Sequence, residues 1–300
     1  MGKEKTMRTK AGLIIIFNHK FEKNLAKLRK LYSNRFSYIR FLVPFYNGND
    51  EDVICVYENS FQFQGYLAQA YPLFNNKNLT HYLIIGDDLI LNPLLKEDNL
   101  DVFLKVQERD SYFEEFTPLN KTNYWSYQRF VETELAFKQI GTTYEKEIPS
   151  KDKAYRIAEQ YKFFDFSLKG IKYKSANIKR QIIDEIRQIM HKLELDYPLV
   201  TGYSDFLLVS SYDMAEFSRI CGIFAAMRLW VEIAIPTAMM FSCQHIVFQK
   251  DIELKTPKMW KPTRIVSDFE QKCEYKTINI EENWPSDYAY LHPVKLSKWS

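Results

Sequence analysis

Short apolar runs alternate with amphipathic segments over the first hundred residues of the chain. Four runs have the length and the Ile, Val, Leu and aromatic content of buried strands: residues 13–17, 39–43, 53–57 and 82–85. Residues 22–32 and 63–71 lie between these runs and carry their apolar side chains at helical spacing. The resulting order, βαββαβ, predicts a doubly wound α/β sheet whose ligand site lies beyond the carboxyl ends of the strands.

The rest of the chain is regular only in places. Residues 101–150 are rich in aromatic and charged side chains without clean periodicity, which indicates an inserted or variable segment. Residues 178–195 predict an amphipathic helix with Ile182, Ile186 and Leu193 on one face. The last fifty residues show little regular pattern, and we expect them to wrap the surface.

A further strand and helix are predicted after this amphipathic segment. Residues 206–209 are strand-like, and a helix follows with apolar side chains along one face: Met214, Phe217, Cys221 and Phe224. Asp213 has capping-box spacing with either Ser210 or Glu216 at the start of that helix. Pro236 ends, kinks or starts another helix, and the sequence leaves that boundary open.

Composition describes an ordinary globular chain. Its 300 residues are 46% hydrophobic and 16% aromatic, enough for the core of one large domain or of one domain with an appended subdomain. The formal net charge of +3 is too small to predict nucleic-acid binding, which needs a concentrated basic face. The four cysteines form no CxxC pair, and neither a membrane span nor a secretory signal is recognisable. We therefore expect a cytoplasmic protein that contacts the inner membrane surface at most peripherally.

Two adjacent aspartates interrupt the apolar stretch HYLIIGDDLILNP. Asp87 and Asp88 follow the fourth predicted strand, and an unpaired charge is costly there because the strand is buried. A divalent cation with a diphosphate would compensate them, since Mg²⁺ and Mn²⁺ are commonly held by one or two carboxylates and substrate phosphates. The alternative is an Asp-rich turn that only caps the next element. Asn18 and Glu58 end the first and third strands, so we expect them at the same edge.

This combination resembles the GT-A glycosyltransferases, which use nucleotide-sugar donors. The features that carry the resemblance are the Rossmann-like start, a strand ending in an acidic motif of the DxD type near residue 90, and a histidine late in the chain. The resemblance implies a GT-A-like, Rossmann-related mixed α/β sheet flanked by helices. Residues 1–100 would form the nucleotide-sugar-binding half, and residues 101–300 the insertion and acceptor-side half of the same single domain.

The resemblance also assigns roles at the strand ends. Asp88 would bind Mn²⁺ or Mg²⁺, and Asp87 would lie near the ribose or the metal. Phe17, Asn18 and Glu58 would line the nucleotide, each at or beside the end of a strand. The usual first acidic position of the motif holds a glycine, Gly86, so that the motif here is G-D-D.

The terminal stretch YLHPVKLSKW is similar to the His and Lys segment with which some GT-A enzymes close over the donor diphosphate. This similarity implies that His292 completes the metal site and that Lys295 contacts phosphate. Imidazole suits manganese, and a lysine ammonium is a compact charge for phosphate. The alternative is a frayed basic tail.

The stretches GYSD and VEIAIPT supply acceptor-side candidates. The resemblance implies that Asp205 and Glu232 accept the proton of the acceptor hydroxyl or hold the acceptor sugar. Glu232 has apolar neighbours and would oppose the negative end of a helix that stopped before Pro236, so it needs a partner. Arg219 and Arg228 are available, which makes a buried salt bridge the structural alternative.

The resemblance thus implies a metal-assisted glycosyltransferase that moves a sugar from a nucleotide diphosphate donor to a glycan or lipid-linked acceptor. The rival hypothesis is a non-catalytic nucleotide-binding or scaffold protein of the same fold, which Gly86 favours. No G-x-x-x-x-G-K-[ST], G-x-G-x-x-G, G-x-S-x-G or H-E-x-x-H motif is present. Their absence argues against the commonest triphosphatase, dinucleotide-binding, hydrolase and zinc-protease classes.

Overall fold

The computed structural model describes residues 9–123, 125–138, 146–175 and 177–300, so residues 1–8 of the predicted first half lie outside it. Its centre is a seven-stranded mixed sheet flanked by helices. Four strands of the sheet are parallel neighbours: β1 (Ala11–Ile16), β2 (Ile39–Pro44), β3 (Val53–Val56) and β4 (His81–Gly86). Every residue of β1 and β4 is buried, as expected for strands covered on both faces.

The remaining strands extend the sheet beyond β4. They comprise β6 (Asp110–Phe113), β9 (Phe206–Ser210) and β10 (His245–Phe248). β9 is antiparallel to both β4 and β6, whereas β10 is parallel to β6, so the sheet order is β3-β2-β1-β4-β9-β6-β10. Two short antiparallel pairs lie outside it: β5 (Ile90–Leu91) with β11 (Tyr290–Leu291), and β7 (Thr117–Pro118) with β8 (Val200–Thr201). The sheet therefore contains strands from both predicted halves.

Nine α-helices occur in the residues that the structure describes. They are α1 (Lys23–Tyr32), α2 (Phe63–Phe74), α3 (Leu100–Leu104), α4 (Tyr127–Phe137), α5 (Lys151–Glu159), α6 (Ile178–Met190), α7 (Met214–Ala226), α8 (Val231–Ser242) and α9 (Arg264–Lys272). Ile14 and Ile16 of β1 belong to the core with α2, α7 and α8. Leu13 and Ile15, which alternate with them, belong to the core with α1, α9 and the C-terminal residues.

Two expectations about unpatterned segments are wrong. The segment 101–150 is not only an insertion, because β6 lies inside the central sheet. The last fifty residues do not wrap the surface: they form α9 and β11 and bury Leu291 and Trp299 completely or nearly so. Strand β6 has four residues and includes Asp110 and Ser111, so its burial follows from pairing with β9 and β10 and not from a local apolar pattern.

Helix α6 forms where the periodicity predicts it but ends at Met190 and not at residue 195. Its apolar face points to solvent, with Ile182 70% and Ile189 80% exposed, while Asp184 is only 1% exposed. The Asp184 carboxylate accepts a hydrogen bond from the backbone N–H of Tyr127, the first residue of α4 (3.2 Å). The first N–H groups of α4 have no partner within that helix, and Asp184 supplies one. The polar side of α6 therefore packs against the protein.

The two open questions at the start of α7 and at Pro236 are answered by the structure. Asp213 is the N-cap residue of α7, but its side chain makes no capping hydrogen bond. Pro236 lies inside α8, five positions after its first residue. None of the helices in the described ranges is long and apolar enough to cross a membrane.

Candidate functional site

Asp87 is held at the carboxyl end of β4 by the backbone of β1. Its Oδ1 accepts a hydrogen bond from the N–H of Asn18 (2.9 Å), and its own N–H donates to the carbonyl of Ile16 (2.9 Å). The side chain is 3% exposed. Burial and, to a smaller degree, the charge of Asp88 raise the pKa of Asp87 to about 7, although the Asn18 and Asn24 hydrogen bonds oppose this.

Asp88 contacts the C-terminal segment at two points. Its Oδ1 lies 3.0 Å from Nε2 of His292, and its backbone carbonyl accepts a hydrogen bond from the N–H of Val294 (2.7 Å). The pairing of β5 with β11 sets this register, since β5 begins two residues after Asp88 and β11 ends directly before His292. The predicted pair of Asp88 and His292 is therefore in contact, and the terminal segment is packed and not frayed.

The ring of His292 is fixed from its other side. Its Nδ1 contacts the carbonyl oxygen of Met259 and lies 2.6 Å from the hydroxyl of Tyr203. Because a carbonyl oxygen only accepts, Nδ1 carries a hydrogen and Nε2 is the nitrogen that faces Asp88. Burial acts to lower the pKa of His292, but the Asp88 hydrogen bond and the charge of Asp205 raise it to about 9.

Gly86 lies between two carboxylates. Its N–H donates to the carbonyl of Asp205 (3.2 Å), and a Cβ at this position would be 3.2 Å from Oδ1 of Asp88 and 3.7 Å from Oδ1 of Asp205. Burial raises the pKa of Asp205 and the charge of Asp88 adds to the rise, while His292 opposes it. An acidic side chain at position 86 would bring a third negative charge to this space, and the glycine avoids that repulsion.

Glu232 is buried in the first turn of α8, and both of its oxygens accept hydrogen bonds. Ser204 Oγ donates to Oε2 (3.2 Å), and Trp260 Nε1 donates to Oε1 (3.4 Å). Glu232 does not oppose a negative helix end, because α8 continues through Pro236 and Glu232 lies at its favourable N-terminus. Burial and the charge of Asp205 raise the pKa of Glu232 well above its usual range.

The arginines proposed as partners of Glu232 are engaged elsewhere, so the salt-bridge alternative is wrong. Arg219 pairs with Glu216 (2.7 Å), and Nη1 of Arg228 donates to both carboxylate oxygens of Glu58 (2.9 and 3.0 Å). Glu232 is instead a buried carboxyl whose hydrogen-bond partners are neutral.

Pro236 also connects α8 to the segment that carries Asp205. A proline has no N–H, so the carbonyl four residues earlier, that of Glu232, is released from the helix pattern. This carbonyl accepts from the N–H of Gly202 (3.2 Å). A Cβ at Gly202 would lie 2.7 Å from the carbonyl oxygen of Glu115, so only glycine fits this approach.

Sequence reasoning missed a group of aromatic residues beside Glu232. Trp125 contacts both Trp230 and Trp260, with ring centroids 5.9 and 5.7 Å apart, and Trp260 contacts Tyr203 at 5.7 Å. Arg129 lies over the ring of Trp230, 3.9 Å from its centroid. Tyr203 stands inside the quoted GYSD stretch and could have been noticed, whereas no local pattern distinguishes the three tryptophans.

The other predicted site residues differ in their burial and in their partners. Phe17 is fully buried against Phe41 and its N–H donates to the carbonyl of Leu42 (2.9 Å), so the structure leaves no exposed surface of Phe17 for a ligand. Glu58 is occupied by Arg228, and Lys295 has an exposed side chain. Burial and the charges of Glu58 and Asp87 raise the pKa of Tyr66. Within the part of the chain that the structure describes, its hydroxyl has no hydrogen-bond partner.

In the described ranges, no three His, Cys, Asp or Glu side chains are grouped so that they could hold a metal ion by themselves. Asp88 and His292 together would supply two ligands. The chain matches no protein-family model and no curated protein.

Proposed function

We propose that this protein transfers a sugar from a nucleotide diphosphate donor to a hydroxyl group of a glycan or lipid-linked acceptor. One observation carries the proposal: Asp88 at the end of β4 and His292 at the far end of the chain are in contact, beside Asp205. In open α/β sheets, ligands bind beyond the carboxyl ends of the strands, which is where this contact lies.

A metal held by Asp88 and His292 would replace the proton that Nε2 of His292 shares with Asp88, because imidazole binds a metal only in its neutral form. A histidine that binds a metal usually donates its other ring N–H to a carbonyl or carboxylate, as Nδ1 of His292 does toward Met259. Mn²⁺ and Mg²⁺ accept a protein site of few ligands when substrate phosphates complete it. A bound metal would supply positive charge to offset the charge that develops on the leaving diphosphate.

The donor nucleotide is assigned to the groups around Asp87. Among the residues that the structure describes, the Tyr66 hydroxyl has no hydrogen-bond partner, whereas the backbone N–H of Asn18 already donates to Asp87. A ribose hydroxyl or a phosphate oxygen would satisfy Tyr66, which otherwise loses a hydrogen bond on burial. Lys295 would add a charge for the diphosphate from the exposed side of the C-terminal segment.

The acceptor is assigned to the surroundings of Glu232, which accepts a hydrogen bond from Trp260. The acceptor oxygen would attack the anomeric carbon, its proton would pass to the carboxylate of Glu232, and the bond to the diphosphate would break. A raised pKa makes Glu232 a stronger proton acceptor once it is ionised. The Nε1 of Trp230 has no hydrogen-bond partner in the described residues and offers an N–H to a sugar hydroxyl.

Thermal shift measurements with UDP, GDP and CDP, each with and without Mn²⁺, test the proposal. We expect one nucleotide to raise the melting temperature only when the metal is present. The corresponding nucleotide-sugars, tested with the same metal, should then be hydrolysed slowly in the absence of an acceptor. No shift with any of the three nucleotides would contradict the proposal.

The second candidate is a nucleotide-binding protein without turnover. Gly86 favours it, because the motif lacks one carboxylate that the family resemblance implies. Metal-dependent binding of a nucleotide-sugar, with no hydrolysis and no transfer to any offered glycan, would support this candidate over the transferase.

A further inference from the structure

Helix α6 exposes a continuous apolar face. Ile178, Ile182, Ile186 and Ile189 fall within one arc of the helix, and all four are exposed, Ile178 by 84%. The adjoining Ile183 and Met190 are exposed as well. Single exposed apolar residues are ordinary, but six on one 13-residue helix form a patch that calls for a binding partner.

The orientation of α6 is fixed by polar contacts on its opposite side. Asp184 accepts from the backbone of Tyr127, and the hydroxyl of Tyr127 donates to the carbonyl of His191 directly after the helix (2.9 Å). Gln188 exchanges two hydrogen bonds with the backbone of Tyr173 (2.9 and 2.7 Å). Turning the isoleucines inward would break these contacts, so the fold holds the apolar face outward.

Basic side chains lie along the borders of this face. Residues 169–192 contain seven Lys and Arg against two acidic residues, of which Asp184 is buried and Glu185 is exposed at the edge of the isoleucine arc. The Gln188 contacts hold the Tyr173 segment beside the helix, and its neighbours Lys172 and Lys174 are exposed. On the helix itself, Lys179 and Arg180 are exposed at the first turn.

We propose that α6 docks this protein on an anionic lipid bilayer, with its isoleucines in the acyl boundary and the surrounding lysines and arginines at the headgroups. An amphipathic helix with an apolar face and a basic polar border lies in the plane of a membrane interface. Anionic headgroups attract each nearby basic residue. A second copy of this chain is the weaker occupant, because symmetric contact would place the same basic border against itself.

Vesicle co-sedimentation of the full chain tests the proposal. We expect binding to vesicles of phosphatidylcholine mixed with phosphatidylglycerol and weak binding to phosphatidylcholine alone. The combined variant Ile182→Ser, Ile186→Ser and Ile189→Ser should lower the partition coefficient on the anionic vesicles about tenfold or more. A matched control replaces three exposed apolar residues of other elements, Leu73→Ser, Val102→Ser and Ile278→Ser, and should leave binding unchanged.

A second variant tests the charge. Lys179→Glu with Arg180→Glu keeps every isoleucine and should also lower binding to the anionic vesicles about tenfold or more. Circular dichroism and the melting temperature of each variant, measured without lipid, should match those of the unmodified chain, since all changed side chains are exposed.

Three results would overturn the proposal. One is equal binding of the unmodified chain to both kinds of vesicle or to neither. Another is equal loss of binding in the isoleucine variant and its matched control. The third is a dimer in solution that the isoleucine substitutions dissociate, which would assign the face to a second copy.

Discussion

Nε2 of His292 lies 3.0 Å from Oδ1 of Asp88, although 204 positions separate the two residues in the chain. The short β5–β11 ladder brings them together, and Tyr203 and Met259 fix the ring from its other nitrogen. The contact joins an acidic strand end to the last residues of the chain. It is the geometric basis for the predicted metal-dependent binding of a nucleotide diphosphate.

Asp88→Asn should abolish Mn²⁺-dependent nucleotide binding while the fold remains intact. The amide keeps the size of the side chain but loses the charge that a hard cation requires. Calorimetric titration with nucleotide, with and without Mn²⁺, measures the effect. Asp98→Asn is the control, because Asp98 is exposed and lies on the connection between β5 and α3, outside the contact with His292. An unchanged titration of Asp88→Asn would remove the metal role.

Lys295→Ala should weaken binding of a nucleoside diphosphate about tenfold and leave binding of the nucleoside itself unchanged. The side chain is exposed, so its removal should not lower the melting temperature, whereas deletion of the whole segment would remove Leu296 and Trp299 from the core. Lys298→Ala is the matched control on the same segment. Equal losses for the diphosphate and the nucleoside would contradict a contact of Lys295 with phosphate.

Glu232→Gln should lower sugar transfer about 100-fold or more, with donor binding preserved. We expect the melting temperature to stay at or above that of the unmodified chain, because no arginine loses its partner and a charge disfavoured by burial is removed. The amide oxygen can still accept from Trp260, and Ser204 can rotate to accept from the amide nitrogen. A strongly destabilised variant with normal activity per folded molecule would exclude Glu232 from the site.

Glu114→Gln should stabilise the protein more at pH 8 than at pH 4.5. Burial raises the pKa of Glu114 from about 4.5 to about 7, despite the nearby Lys258. The native state therefore holds a proton that the unfolded chain releases, so stability falls as the pH rises from 4.5 through 7. Replacement by glutamine removes this loss, which is at most about 3 kcal/mol. Urea unfolding at several pH values measures it.

The neighbouring Glu115→Gln serves as the control for that experiment, because Glu115 also contacts Lys258 but is about half exposed. We expect it to change the stability by less than about 1 kcal/mol at either pH. The difference in unfolding free energy between Glu114→Gln and the unmodified chain should depend on pH. The same difference at pH 4.5 and pH 8 would contradict the raised pKa.

Gly202→Ala should destabilise the protein by about 2 kcal/mol, because its Cβ would meet the fixed carbonyl of Glu115 at 2.7 Å. Gly222→Ala in α7 is a milder comparison. Its Cβ would lie 3.1 Å from that of Ala68, and alanine favours a helix over glycine by about 1 kcal/mol. Equal melting temperatures of these two variants would show that the Gly202 segment can move away from Glu115.

The sequence by itself determined the elements whose patterns are local. The apolar runs of β1 to β4 and the helical spacing of α1 and α2 depend on neighbouring residues only, and each element lies within a few residues of its predicted range. The same runs placed Asp87 and Asp88 at the end of β4. Helix α9 could also have been predicted, since Val266 and Phe269 have helical spacing and a threonine, a favoured N-cap residue, precedes Val266 by three positions. In the structure, Thr263 accepts a hydrogen bond from the N–H of Val266.

Tertiary structure alone decided the features that depend on distant partners. The side of α6 that faces solvent follows from the hydrogen bond between Asp184 and the start of α4, because amphipathicity defines two faces and not which one is buried. Asp88 contacts His292, and Trp260 contacts Glu232, although the members of each pair are far apart in the chain. The identities of these residues do not predict that they lie close together in space. Long-range strand pairing and packing supply those distances, and local periodicity contains no information about them.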